Sequence, residues 1–145
     1  MPDWLYRQLQ RGAPVRKTRK IGLDGKLYTE VTRENEVSGI VPVLARLSGA
    51  SDRVEKAYYC HPSVQHIFKQ ENEGGFCGYR NIQMIISYVQ GAKINGYNRF
   101  GHDVPDILQL QDMIEAAWDR GISEHAKQDT GGIRGTRKWI GTPEV

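Results

Sequence analysis

The stretch Glu73-Gly74-Gly75-Phe76-Cys77-Gly78-Tyr79-Arg80-Asn81-Ile82-Gln83-Met84 sets a cysteine among glycines, directly before a segment of helical periodicity. The N-terminus of a helix carries roughly half a positive charge. Its unpaired backbone N–H groups would face the sulfur and favour negative charge there. Gly75 and Gly78 would keep side chains away from an incoming substrate backbone. The spacing alone also fits a plainer role, since a lone cysteine at the start of an amphipathic helix is more often a small buried hydrophobe.

Downstream of the cysteine, Tyr79, Ile82, Ile86 and Val89 recur at helical spacing with Ile85 beside them, so a helix is expected to end near Gln90-Gly91. Residues 91–104 read as a loop. Asp103, Pro105 and Asp106 open the next helix, whose stripe is Ile107, Leu110, Ile114 and Ala117/Trp118, and Gly121 stops it. Residues 123–135 are polar, contain Gly131-Gly132, and read as an exposed loop. Upstream, residues 69–76 form a polar, glycine-rich loop. Val64, Ile67 and Phe68 suggest an apolar turn or helix. Ser51-Asp52-Arg53-Val54-Glu55 resembles a capping box, so a short helix is expected through Tyr59. Val37 to Leu47 is an apolar helix with Pro42 in its first turn. Residues 3–10 form a short helix, and Val15 to Val31 a hairpin turning at Asp24-Gly25. The hairpin must pack on something or be loosely held.

The 145 residues are the size of one domain. No run is long enough to span a bilayer. The opening Met1-Pro2-Asp3-Trp4-Leu5-Tyr6-Arg7 lacks the apolar core of a signal peptide. Two cysteines make no disulfide framework, which points to the cytosol or nucleus. The net charge of +3 resides in residues 1–36, an N-terminal extension with a basic hairpin. Its cluster Arg11, Arg16, Lys17, Arg19, Lys20 has no interleaved aromatics to stack bases and reads as a solvated arm, so neither a membrane nor a nucleic acid is expected as partner.

The run Gly74 to Met84 resembles the nucleophile segment of papain-like cysteine peptidases that act on ubiquitin and ubiquitin-fold modifiers, most closely the zinc-finger-containing ubiquitin peptidase branch, with its Gly-x-Cys-Gly-Tyr-Arg-Asn-x-Gln-Met pattern. Autophagy-type cysteine proteases carry a similar but shorter run. Two further segments follow in the family's order: Leu110-Gln111-Asp112-Met113-Ile114-Glu115-Ala116-Ala117-Trp118, and Gly135-Thr136-Arg137-Lys138-Trp139-Ile140-Gly141-Thr142-Pro143-Glu144-Val145. The resemblance covers Gly39 to Val145. It implies an α+β papain-like fold, with residues 37–145 as the N-terminal, helical part of the peptidase domain and the later sheet strands missing. It implies cleavage after the modifier's C-terminal Gly-Gly through a thioester on Cys77, with ubiquitin or a ubiquitin-like modifier and its conjugates as partners.

Of the family's catalytic groups, only the nucleophile carries over, to Cys77. The base and its orienter, a histidine and an aspartate, belong to later strands, so the chain alone is expected to be inactive. His61, His66, His102 and His125 are the local candidates for a base, and His61 and His66 precede the nucleophile, the reverse of papain-like order. Cys60, His61, His66 and Cys77 lack the paired spacing of a zinc site, and no metal or other cofactor is expected. For the oxyanion, the backbone N–H of Cys77 is one donor, and Gln65 is the side-chain candidate. Arg80 and Gln83 lie about one and two turns past the cysteine and read as structural hydrogen-bonders. A slot for a Gly-Gly tail would use Gly74, Gly75 and Gly78, with Trp139 as a wall, although a core position is the commoner one for tryptophan. The rival to the peptidase is a non-catalytic module that binds a ubiquitin-like fold. Without the later strands, the faces carrying Ile82, Ile86, Val89, Ile114 and Trp118 are expected to lack cover and to favour self-association.

Overall fold

The computed structural model describes residues 1–144. Val145, the last residue of the third resembling segment and of the expected domain, lies outside the described residues. The chain runs α1 (Asp3–Arg11), β1 (Val15–Ile21), β2 (Leu27–Arg33), β3 (Glu36–Val37), α2 (Ile40–Gly49), β4 (His66–Ile67), α3 (Cys77–Gly91), α4 (Ile107–Trp118) and α5 (Glu124–Thr130), with single 3-10 turns at Tyr97–Phe100 and Thr142–Glu144. Its strands form two antiparallel pairs, β1 with β2 and β3 with β4.

The central helices form where the apolar spacing places them. Asp106 caps α4 by accepting from the Gln109 N–H at 2.8 Å, and the Gln109 side chain accepts from the Asp106 N–H at 2.8 Å, so two N–H groups at the helix start are satisfied reciprocally. Tyr79 and Ile86 of α3 meet Ile107, Leu110, Ile114 and Trp118 of α4 in one core. Leu5 and Leu9 of α1 join it from the N-terminus, and Phe76, Ala126, Ile133 and Ile140 close it.

Several expectations need correction. Ile86, Ile114 and Trp118 are covered, because α1, α5 and the segment around Ile133 and Ile140 pack over them. The exposed apolar side chain of α3 is Ile85, 62% accessible, while Ile82 and Val89 are half-buried. Residues 123–135 hold α5, anchored by buried Ala126, and the loop beyond it buries Ile133 completely. Residues 51–59 form no helix. The Ser51 hydroxyl accepts from the Arg53 N–H at 3.4 Å, closing a turn where a helix cap was expected. Of Val64, Ile67 and Phe68, only Ile67 lies in a regular element, β4, where it pairs with Glu36.

The first 36 residues divide in two. α1 is built into the core, whereas the hairpin is exposed on both faces apart from one half-buried residue in each strand. Its base is tied down: the Phe68 N–H donates to Asn35 O at 3.0 Å, and Asn35 Nδ2 donates to Phe68 O at 3.0 Å. That tie fixes the chain entering the loop before Cys77.

Candidate active site

Cys77 is the first residue of α3 and is exposed. Among the described residues, no side chain caps the start of that helix. The N–H groups of its first turn therefore remain free for an anion or oxyanion.

The loop before Cys77 is held by a buried charged cluster. The Glu73 side chain is fully buried and accepts from Gln70 N–H at 2.9 Å, Arg80 Nε at 3.0 Å and Arg80 Nη2 at 2.5 Å. Arg80 Nη1 donates to Gln83 Oε1 at 2.8 Å, and Gln83 Nε2 donates to Pro105 O at 2.7 Å. A fork-to-fork arginine–carboxylate pair fixes orientation as well as distance. One chain of bonds thus runs from the loop, through α3, to the entrance of α4. Arg80 and Gln83 are structural in this arrangement, as their spacing indicates.

The Arg137–Gly141 segment closes the other side. A Cβ at Gly78 would collide with the Ile140 carbonyl oxygen, so the absent side chain admits this protein's own backbone. This corrects the expected reason for that glycine. Gly74 has φ +84° and lies under the Arg137 guanidinium, while Gly75 faces open space. Tyr79 Oη lies 3.5 Å from Lys138 O, donating to it, and burial raises the tyrosine's pKa. Trp139 is 60% exposed, so it occupies the surface where a core position is commoner for tryptophan. Gly74 and Gly78, on either side of Cys77 in the chain, thus each meet the Arg137–Gly141 segment, which also carries Trp139.

Gln65 is not brought there. Its backbone N–H donates to Ser87 Oγ at 3.0 Å, and Ser87 lies ten residues past Cys77, about 15 Å along the helix. It lines a polar cavity of about 630 Å³ beside α3 together with Gln83, Ser87 and His102, a cavity that excludes Cys77. The histidines are also dispersed. The His61 ring lies 5.2 Å from that of Tyr88, about 16 Å along α3 from the cysteine. His66 neighbours Phe68. His102 sits between Gly101 and Asp103, whose carbonyls accept from Gln90 near the far end of α3. His125 lies on α5, which packs on α4 and residues 142–144. Among the described residues, no side chain hydrogen-bonds the Cys77 sulfur.

Two residues went unread in the sequence. Gln111 is fully buried and Glu115 nearly so, and both turn from α4 toward residues 133–136. Backbone N–H donation from Arg134, with a further bond from Ile133, holds the Glu115 carboxyl below its ordinary pKa against the opposing effect of burial. The available signal was their i, i+4 spacing one position after Leu110 and Ile114, at the edge of the apolar stripe.

The fold is that of an α+β, papain-like cysteine peptidase fragment, with a free, exposed cysteine at the start of its central helix. A model described as Peptidase family C78 matches residues 53–145, and the chain belongs to that family. It is similar to zinc finger-containing ubiquitin peptidase 1 of Mus musculus, 32% identical over 138 residues, covering 93% of this chain and 22% of the relative. The Homo sapiens protein of the same name is 31% identical over 141 residues, covering 94% and 23%. Ubiquitin carboxyl-terminal hydrolase mug105 of Schizosaccharomyces pombe is 38% identical over 76 residues, covering 51% and 30%. The chain therefore spans less than a quarter of the zinc-finger relatives. The likeness reaches beyond the expected 39–145 to nearly all of this chain.

Proposed function

We propose that this chain carries the nucleophile of a thiol peptidase that cleaves after the C-terminal Gly-Gly of ubiquitin or a ubiquitin-like modifier. The observation that supports this most is the placement of exposed Cys77 at an uncapped helix start between two ordered walls, the Glu73–Arg80 loop and the Arg137–Gly141 segment. Sγ adds to the carbonyl carbon of the terminal glycine, and the C–N bond to the departing amine breaks. The amine leaves with a proton and a thioester remains, which water then hydrolyses. The base that manages those protons and the group that orients it come from outside these residues, because no histidine among the described residues hydrogen-bonds the Cys77 sulfur. The chain alone therefore turns over no substrate. Gly74, Gly75 and Trp139 flank the tail, and the Cys77 N–H receives the oxyanion. Two free, exposed cysteines suit the cytosol or nucleus, which is part of this proposal.

The test is labelling by ubiquitin and ubiquitin-like probes with a C-terminal electrophile, alongside turnover of a fluorogenic modifier substrate. Labelling lost in Cys77→Ala, with no turnover, is the expected result. Turnover would overturn the inactivity of the chain. Probe binding that survives Cys77→Ala, with no labelling of the unaltered chain, would favour the second reading, a non-catalytic modifier-binding module.

A further inference from the structure

The Arg137–Gly141 segment meets Gly74 and Gly78 on either side of Cys77 and pairs with no strand among the described residues. Along it, Lys138 N–H donates to Thr136 Oγ1 at 3.2 Å, Lys138 O accepts from Tyr79 Oη at 3.5 Å, Gly141 N–H donates to Glu144 Oε2 at 2.7 Å, and Ile140 is buried against Gly78. The Lys138 ammonium also donates to the carbonyls of Thr130 and Gly132, which lie before the segment. A segment with no ladder bonds is placed largely by what fixes its ends. The later end is pinned where Trp118 Nε1 donates to Glu144 O at 2.9 Å. The earlier end is held by two buried side chains of α4. Glu115 Oε1 accepts from the N–H groups of Ile133 and Arg134, both at 2.8 Å. Gln111 Oε1 accepts from Gly135 N–H at 2.9 Å, and its Nε2 donates to Thr136 O at 3.1 Å. Four consecutive residues are thus bonded through their main chain, in the four places immediately before Arg137. Gln111 Nε2 also lies 3.5 Å from Tyr79 Oη, on the nucleophile helix.

We propose that Gln111 and Glu115 are positioning residues of the peptidase site, which fix the backbone of residues 133–136 and so aim the Arg137–Gly141 wall at a Gly-Gly tail entering beside Cys77. This rests on the reading of Cys77 as the nucleophile. A Gly-Gly tail offers no side chains to grip. Its alignment depends on main chain and on a correctly placed wall, and small misplacements of reacting groups are costly in rate. Gln111 and Glu115 touch neither the sulfur nor the tail; they act through the segment they hold.

The experiment compares two reagents on the same thiol in the full chain: iodoacetamide, and a short peptide ending in Gly-Gly with a C-terminal vinyl methyl ester. Both depend on the state of Cys77, but only the peptide depends on the wall, so the ratio of their rate constants isolates positioning. In Glu115→Gln and Gln111→Leu the ratio is expected to fall by about fivefold or more. Amide hydrogen exchange of residues 133–141 is expected to rise by about tenfold, with that of residues 80–90 unchanged. Glu115→Gln keeps shape and volume, and it decides the matter if Gln111→Leu does not fold. A ratio that stays at its unaltered value in Glu115→Gln overturns the proposal. So does an equal fall in both rate constants, which marks a general loss of structure. A ratio in the unaltered chain no higher than that of a free cysteine peptide overturns the proposal and the Gly-Gly reading together.

Discussion

Two stretches of this chain are built on opposite terms. Residues 133–141 are rich in glycine and charge, yet they are ordered, because Gln111 and Glu115 bond their backbone and Ile133 and Ile140 are buried. α2, Ile40–Gly49, is almost wholly apolar, yet none of its residues is buried, and Val43, Leu44 and Leu47 face solvent. The contrast shows that apolar composition does not settle which segment joins the core. A segment packs where neighbours meet its face and its main-chain groups find partners; hydrophobicity alone supplies only half of that.

The strongest way to break the comparison is to remove a buried polar member. Arg80→Ala leaves the Glu73 carboxylate buried without its ion pair, and is expected to cost roughly 3–5 kcal/mol of unfolding free energy in a urea titration. A loss near zero would mean the cluster is not what orders the nucleophile loop. Gly78→Ala should follow. The added methyl meets the Ile140 carbonyl, and displacing a packed segment of that kind costs about 1–3 kcal/mol. The accompanying change in hydrogen exchange should be confined to residues 137–141, so an unperturbed segment would show that it yields easily. The smallest effect is expected in α2. Leu47→Ser alters an exposed side chain and should change stability by under about 0.5 kcal/mol. A larger loss would show that α2 packs against the body in solution.

Much of the architecture was legible. The 3.6-residue periodicity of Tyr79, Ile82 and Ile86 gives α3, and Asp24-Gly25 gives the hairpin; Asp103, Pro105 and Asp106 announce α4, although its cap is Asp106, boxed with Gln109, rather than Asp103. These are local signals, carried by residues within a turn or two of one another. Ser51–Tyr59 misled because a serine hydroxyl that can cap a helix can equally close a turn, and nothing nearby buried the next turn's face. α5 was missed because seven mostly polar residues have weak periodicity, and its order comes from burial of Ala126 against α4.

The site divides in the same way. The sequence by itself placed Cys77 at a helix start, set glycines around it, and marked Arg80 and Gln83 as structural hydrogen-bonders, since spacing along one helix is enough for that. Only the tertiary structure paired Arg80 with Glu73, seated the Ile140 carbonyl on Gly78, set Gln65 and His61 beside the later turns of α3, and turned Gln111 and Glu115 onto residues 133–136. Those contacts join side chains to backbone groups far along the chain. A backbone N–H or carbonyl is the same at every residue, so no residue type in the sequence announces which one a buried carboxylate or amide will find.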